Sequence, residues 1–256
     1  MGMQFFKFAA DKPRQIQMPA AYMHKKSWSP RIGDIFPDFD APTTQGSMRF
    51  FDWAEGSWCF LFSHPVAFSP VCTTEMIALA NAHEEFQGCN ANILGFTASS
   101  LAEQRAWHRD IEDRFGYPIG FPTVEDVDGQ FAEAFGMHHP KESTNWPIRK
   151  SFILDPQMRI RMIFEYPLYV GRSTDEVLRT IEALQAVDKF GIATPADWHP
   201  GEHYLCSEHP DTRMTAARGG GGMQRFTPYL AFIAPGSLPD ADRTDDLALM
   251  SELCPA

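Results

Sequence analysis

A chain of 256 residues that is 44% hydrophobic and 21% charged is long enough to bury one sizeable core with a small appendage. Its formal charge of −11 excludes a nucleic-acid surface, which depends on clustered Lys and Arg to displace counterions from a polyanion. No stretch approaches the roughly 20 uninterrupted apolar residues of a membrane span, so none is expected.

Residues 1–30 carry no continuous apolar run ending at a small-residue cleavage site, so a secretory signal is not expected. They read as an N-terminal extension, with organelle targeting as the alternative. Cys59, Cys72, Cys89, Cys206 and Cys254 form no CxxC pair and no dense framework. That usage fits a reducing compartment, the cytoplasm first, and one reactive thiol rather than a set of disulfides.

From Arg31 to about Thr194 short apolar runs alternate with amphipathic stretches, the pattern of an α/β domain. Residues 57–63 and 91–97 read as buried central strands. Residues 151–155 and 159–166 flank Pro156 and Gln157 closely enough to form a hairpin, which makes the sheet mixed. Helical spacing appears over 70–87, 101–115 and 174–188, where Val177, Ile181, Leu184 and Val187 or Asp188 mark one face and its edge. Ser173 and Glu176 are spaced as a capping box for the last helix. The predicted domain covers 31–195. Beyond it, frequent prolines and the run Gly219 to Gly222 read as an irregular C-terminal arm over 196–256.

The chemistry concentrates in HPVAFSPVCTTE, residues 64–75, between a strand and an amphipathic helix. Ser69 suits the N-cap and Pro70 the first helical position, which places Cys72 third in the helix. Unpaired backbone N–H groups and the positive end of the helix dipole favour a thiolate there, the form that attacks. Lowering a thiol pKa from about 8.5 to about 6 gains only roughly 30-fold in thiolate at neutral pH, and lower basicity returns part of that gain. A peroxide-cleaving site therefore also needs donors aimed at the departing oxygen. Ser69 and an arginine from elsewhere in the chain are the candidates.

Pro65, Ser69 and Cys72, followed by Thr73, Thr74 and Glu75, resemble the Pro-x-x-x-Thr/Ser-x-x-Cys signature of peroxiredoxins, the AhpC/TSA family. GDIFPDFDAPTTQG, IRKSFILDP, FEYPLYVGRSTDEVLRTIEALQ and ATPADWHPGE follow in the family's order. The last of these, with His64 before Pro65, resembles the one-cysteine, peroxiredoxin-six-like subgroup. The resemblance covers about residues 31 to 230 and implies a thioredoxin-like α/β fold, a central mixed sheet flanked by helices. It implies a peroxidase for hydrogen peroxide and organic hydroperoxides that uses no metal or other cofactor. Cys72 would be the attacking thiol, shielded by Pro65, with Ser69 and Arg149 orienting the peroxide. Glu75 and Arg172 would support them, and His64 would complete a hydrogen-bonding cluster near the thiol. A sulfenic acid on Cys72 would be returned to thiol by an external reductant such as thioredoxin or glutathione. A homodimer or higher homo-oligomer is implied, with the C-terminal arm associated with it.

Several positions depart from the family pattern. Ser69 stands where Thr is usual, keeping the hydroxyl without the methyl that restricts its rotamer. Val66 and Ala67 make the expected pocket mouth more apolar, which suits bulkier hydroperoxides. Some subgroup members are also phospholipases; Ser57 matches their serine, but Phe51 and Gln157 occupy the histidine and aspartate positions, so that activity is not expected. Cys206 and Cys254 are the alternatives for a resolving thiol, while Cys59 and Cys89 read as packing thiols. His203, Cys206 and His209 lack a fourth nearby ligand, which argues against a metal site. A redox sensor that is oxidised with poor turnover is the rival from another functional class.

Overall fold

A computed structural model describes residues 29–206 and 223–238. The main sheet is built from β1 (Asp40–Thr43), β2 (Gly46–Arg49), β3 (Trp58–His64), β4 (Ala91–Thr97), β5 (Thr123–Glu125), β6 (Arg149–Leu154) and β7 (Ile160–Tyr166). These seven strands lie in the order β2-β1-β5-β4-β3-β6-β7. β3, β4 and β5 run parallel, whereas β6 pairs antiparallel with both β3 and β7. The mixed sheet expected of a thioredoxin-like fold is present.

β3 is buried along its whole length because both its faces are covered, as a central parallel strand requires. Its period of two divides the core. Trp58, Phe60 and Phe62 face one layer with Ile93 and Ile153, covered by α2 (Pro70–Asn81), α3 (His83–Gly88), α4 (Leu101–Phe115) and α6 (Thr174–Phe190). Cys59 and Leu61 face the other layer with Leu94, Phe152 and Leu154, covered by α1 (Phe50–Ala54) and α5 (Gln130–Ala134). Cys59 is thus a core residue, and burial pushes its thiol up to about 12. Cys89, at the end of α3, packs at the margin of the first layer.

The structure corrects the sequence reading at three points. The helix expected over 70–87 breaks at Ala82, which turns the chain so that Phe86 reaches Phe60, with ring centroids 5.8 Å apart. At Ser173 the hydroxyl accepts from the Glu176 amide, but Glu176 turns its carboxylate to Arg179, so the predicted reciprocal box is half formed. A complete capping box instead starts α4, between Ser100 and Glu103. Finally, the arm after 195 is not irregular throughout. β8 (Tyr204–Cys206), β9 (Met223–Thr227) and β10 (Leu230–Ile233) form a small antiparallel sheet. Tyr204 and Trp198 pack on Ala183, Ala186 and Ile192 at the end of α6, an apolar surface that composition alone does not reveal. The glycine run, His209, Cys254 and residues 1–28 lie outside the described residues.

Candidate active site

Ser69 occupies the N-cap of α2 with extended backbone angles, and Pro70 takes the first helical position. Proline has no N–H to lose there and its fixed φ suits the helix. Cys72 then lies in the first turn, fully buried. The Ser69 side chain does not cap the helix. Its Oγ is buried without a hydrogen-bond partner among the described residues, while its carbonyl accepts from the amide of Thr73 at 2.9 Å and from the Thr73 hydroxyl at 2.8 Å. A hydroxyl so placed, three residues before the cysteine, is available to a ligand.

Arg149 opens β6, which pairs with β3, and is 2% exposed. Its Nε donates to the Leu168 carbonyl at 2.8 Å. Its Nη1, with two hydrogens to give, donates to Cys72 Sγ at 3.4 Å and to Glu75 Oε2 at 2.5 Å. Glu75 follows Cys72 by one helical turn portion, so both present the same face of α2. The same carboxylate accepts from Arg172: at Oε1 from the backbone amide at 2.9 Å and from Nε at 3.0 Å, and at Oε2 from Nη2 at 2.9 Å. Arg172 also stacks over Phe62, its guanidinium carbon 5.0 Å from the ring centroid.

Two guanidinium groups and one carboxylate leave the cluster one positive charge in excess beside the cysteine. Negative charge on sulfur or on an adjacent oxygen would balance it in a dry setting, where such terms count for more than in water. The segment 167–171 runs beside this cluster: Leu168 supplies its carbonyl to Arg149, and a β-carbon on Gly171 would lie 3.5 Å from Val71 Cγ1 in the first turn of α2.

Pro65 is buried and its carbonyl receives a 3.5 Å contact from the Thr97 hydroxyl, while the Ala67 amide donates to Ser99 Oγ at 3.0 Å. These bonds pin the turn to the end of β4. Phe68, at φ 58 and 57% exposed, forms its outer edge, with Val66 half-buried and Ala67 buried. His64 differs from its expected role. Among the described residues neither ring nitrogen has a hydrogen-bond partner, the thiol included, and the imidazole packs between Phe62 and Trp107, each 5.7 Å away between centroids. Burial first, then the nearby Arg172 charge, push its pKa down to about 3.

Ser57 is half-buried just before β3; Phe51 lies against the second core layer, and Gln157 sits in the β6–β7 turn. Cys206 closes β8, its backbone opposite Ala231 of β10. Sequence reasoning passed over Trp107, whose Nε1 donates to the Thr73 hydroxyl at 3.3 Å, and the Leu168 carbonyl. Trp107 had a signal: Gln104, Trp107 and Ile111 are buried at helical spacing on one face of α4.

Residues 32–163 match the model of the AhpC/TSA family, and residues 183–219 match the C-terminal domain of 1-Cys peroxiredoxin. A peroxiredoxin of Aquifex aeolicus is 43% identical over 171 residues, spanning 67% of this chain and 77% of the relative. A mitochondrial peroxiredoxin of Saccharomyces cerevisiae is 36% identical over 209 residues, 79% of this chain and 80% of the relative. Among solved structures, the yeast mitochondrial 1-Cys peroxiredoxin, studied for thiol resolution by glutathione and thioredoxin systems, superposes with a TM-score of 0.72 at 35% identity. That match covers 80% of this chain and 99% of the other. The peroxiredoxin 6 of Arenicola marina superposes at 0.73 with 29% identity, over 80% and 97% of the two chains. With the family's fold and a buried cysteine at a helix start, the chain belongs to the AhpC/TSA family as a peroxiredoxin of the one-cysteine kind, a thiol-dependent peroxidase.

Proposed function

We propose that this enzyme reduces hydrogen peroxide and organic hydroperoxides through a sulfenic acid on Cys72, resolved by an external thiol. The observation that carries the reading is the 3.4 Å contact from Arg149 to Cys72 Sγ, made by a guanidinium that Glu75 and Leu168 already hold in place. The Cys72 sulfur attacks one peroxide oxygen; an S–O bond forms as the O–O bond breaks. The electron pair leaves with the second oxygen, which takes up a proton and departs as water or an alcohol. Arg149 and the free Ser69 hydroxyl orient the peroxide and meet the developing charge. Pro65 closes the site to bulk water, and Arg172 through Glu75 keeps Arg149 aimed. Two thiol equivalents then return the sulfenic acid to thiol, forming one disulfide and water.

The yeast relative's link to glutathione and thioredoxin supports a low-molecular-weight or protein thiol as that donor. The compartment is a reducing one: the cytoplasm, or an organelle as for the mitochondrial relative, which cell fractionation distinguishes. A homodimer completes the reading, tested by sedimentation velocity. Intact mass after one equivalent of peroxide tests the chemistry. A product one oxygen heavier, on Cys72 alone, is expected; a product two hydrogens lighter that vanishes in Cys206→Ser would replace the external thiol with a resolving Cys206.

A further inference from the structure

A serine at the N-cap of a helix ordinarily turns its hydroxyl oxygen back onto the second or third helical amide. Ser69 has the place and the extended backbone for that bond, with φ −90° and ψ 145°, yet its side chain does not make it. The hydroxyl has no partner among the described residues, so other bonds hold this end of α2. They run through Thr73, the residue after Cys72. Its amide and its hydroxyl both donate to the Ser69 carbonyl, at 2.9 and 2.8 Å. The same hydroxyl oxygen accepts from Trp107 Nε1 at 3.3 Å. An indole N–H can only donate, so Thr73 must accept from it and commits its own proton to the Ser69 carbonyl. Bonds aligned head to tail in this way polarise and strengthen one another.

Trp107 is itself fully buried in α4 and braces the turn at both ends, its ring centroid 5.7 Å from that of His64 and 6.3 Å from that of Phe68. Phe68 has φ 58, a left-handed conformation that a bulky residue keeps only where its surroundings impose it. The start of α4 is fixed in turn by the Ser100–Glu103 capping box and by Ser99, whose hydroxyl accepts from the Ala67 amide. We infer that Thr73 is a positioning residue for the peroxide reaction. With Trp107 behind it, Thr73 fixes the peptide between Ser69 and Pro70 so that the Ser69 hydroxyl is kept for the peroxide beside Cys72 and not spent on capping the helix. This rests on the reading that the Ser69 hydroxyl orients the peroxide. Thr73 acts only through Ser69, so removing its hydroxyl should lower the rate without moving the titration of the thiol.

The test is the second-order rate of Cys72 oxidation by hydrogen peroxide, followed by stopped flow across the titration of the thiol, with melting temperature alongside. Thr73→Val, which keeps the shape and loses the hydroxyl, should lower the plateau rate about tenfold and leave the pH midpoint where it is in wild type. Thr73→Ser, which keeps the hydroxyl, should recover most of that loss. Ser69→Ala should slow the reaction about 100-fold, and Thr73→Val should then add nothing to it, because its target is gone. If Thr73→Val does not fold, Trp107→Phe serves in its place: it frees the Thr73 hydroxyl to rotate, and its smaller loss should likewise vanish in the Ser69→Ala background. A Thr73→Val enzyme as fast as wild type, a shifted midpoint, or a full tenfold loss persisting on top of Ser69→Ala would overturn the inference. The two readings separate at Ser69→Ala: if that variant is slow and Thr73→Val is fast, Thr73 alone is wrong, whereas a fast Ser69→Ala enzyme removes the role of the serine as well.

Discussion

Glu75 carries more of the site than any residue except the cysteine. It accepts four hydrogen bonds, three from guanidinium N–H groups and one from an amide. Removing its charge leaves two buried cations without their counter-ion, so Glu75→Gln should cost on the order of 3 kcal/mol by chemical denaturation and slow peroxide reduction as well. Arg149→Lys keeps a charge but cannot reach the Leu168 carbonyl, Glu75 and Cys72 together; a fall of about 100-fold in peroxide rate is expected, read by stopped flow. The motif made Cys72, Ser69 and Arg149 legible in the sequence. It could not show that the Ser69 hydroxyl stays unbonded, because that depends on Thr73 taking the carbonyl instead, nor that His64 would pack between Phe62 and Trp107.

His64 also sets a pH dependence of stability. Burial pushes the imidazole pKa from its ordinary 6.5 in the unfolded chain down to about 3 in the folded one. Between those values the unfolded chain binds a proton that the folded chain refuses, so stability present above pH 6.5 is lost as pH falls toward 3. The loss reaches roughly 4–5 kcal/mol at the acid end of that window. His108, lowered to about 4 chiefly by burial, acts in the same direction. His64→Leu should flatten the acid limb of a stability-versus-pH curve; an unchanged limb would show that the imidazole is solvated.

At the scale of elements, the parallel strands and the β6–β7 hairpin are readable because their apolar runs are short, β-rich and bounded by turn residues. β4 leaves little room at Gly95. A β-carbon on Gly95 would lie 3.2 Å from both the Phe62 ring and Thr123 Oγ1, so Gly95→Ala should destabilise by about 1–3 kcal/mol through overpacking, measured as a shift in denaturant midpoint. α4 depends on its N-terminus: Ser100→Ala, which removes one half of the capping box, should cost about 1 kcal/mol. The break at Ala82 carried no glycine or proline to announce it, since the packing of Phe86 on Phe60 dictates it. The small sheet after 195 was hidden for a related reason: its strands are only 3, 5 and 4 residues long, and what orders the first of them is the far end of α6.

For the whole molecule, the architecture converges on one point. β3 delivers the turn, α2 delivers Cys72 and Glu75, β6 brings Arg149 alongside, and the segment after β7 closes the ring with Leu168 and Arg172. Four separate stretches of chain must fold to place one guanidinium beside one sulfur. The most direct test of that claim is stopped-flow consumption of hydrogen peroxide by the fully reduced protein, set against Cys72→Ser and Arg149→Lys. Rapid consumption that disappears in Cys72→Ser and falls about 100-fold in Arg149→Lys is the predicted result. Wild-type oxidation no faster than that of free cysteine, or an Arg149→Lys enzyme as fast as wild type, would contradict it.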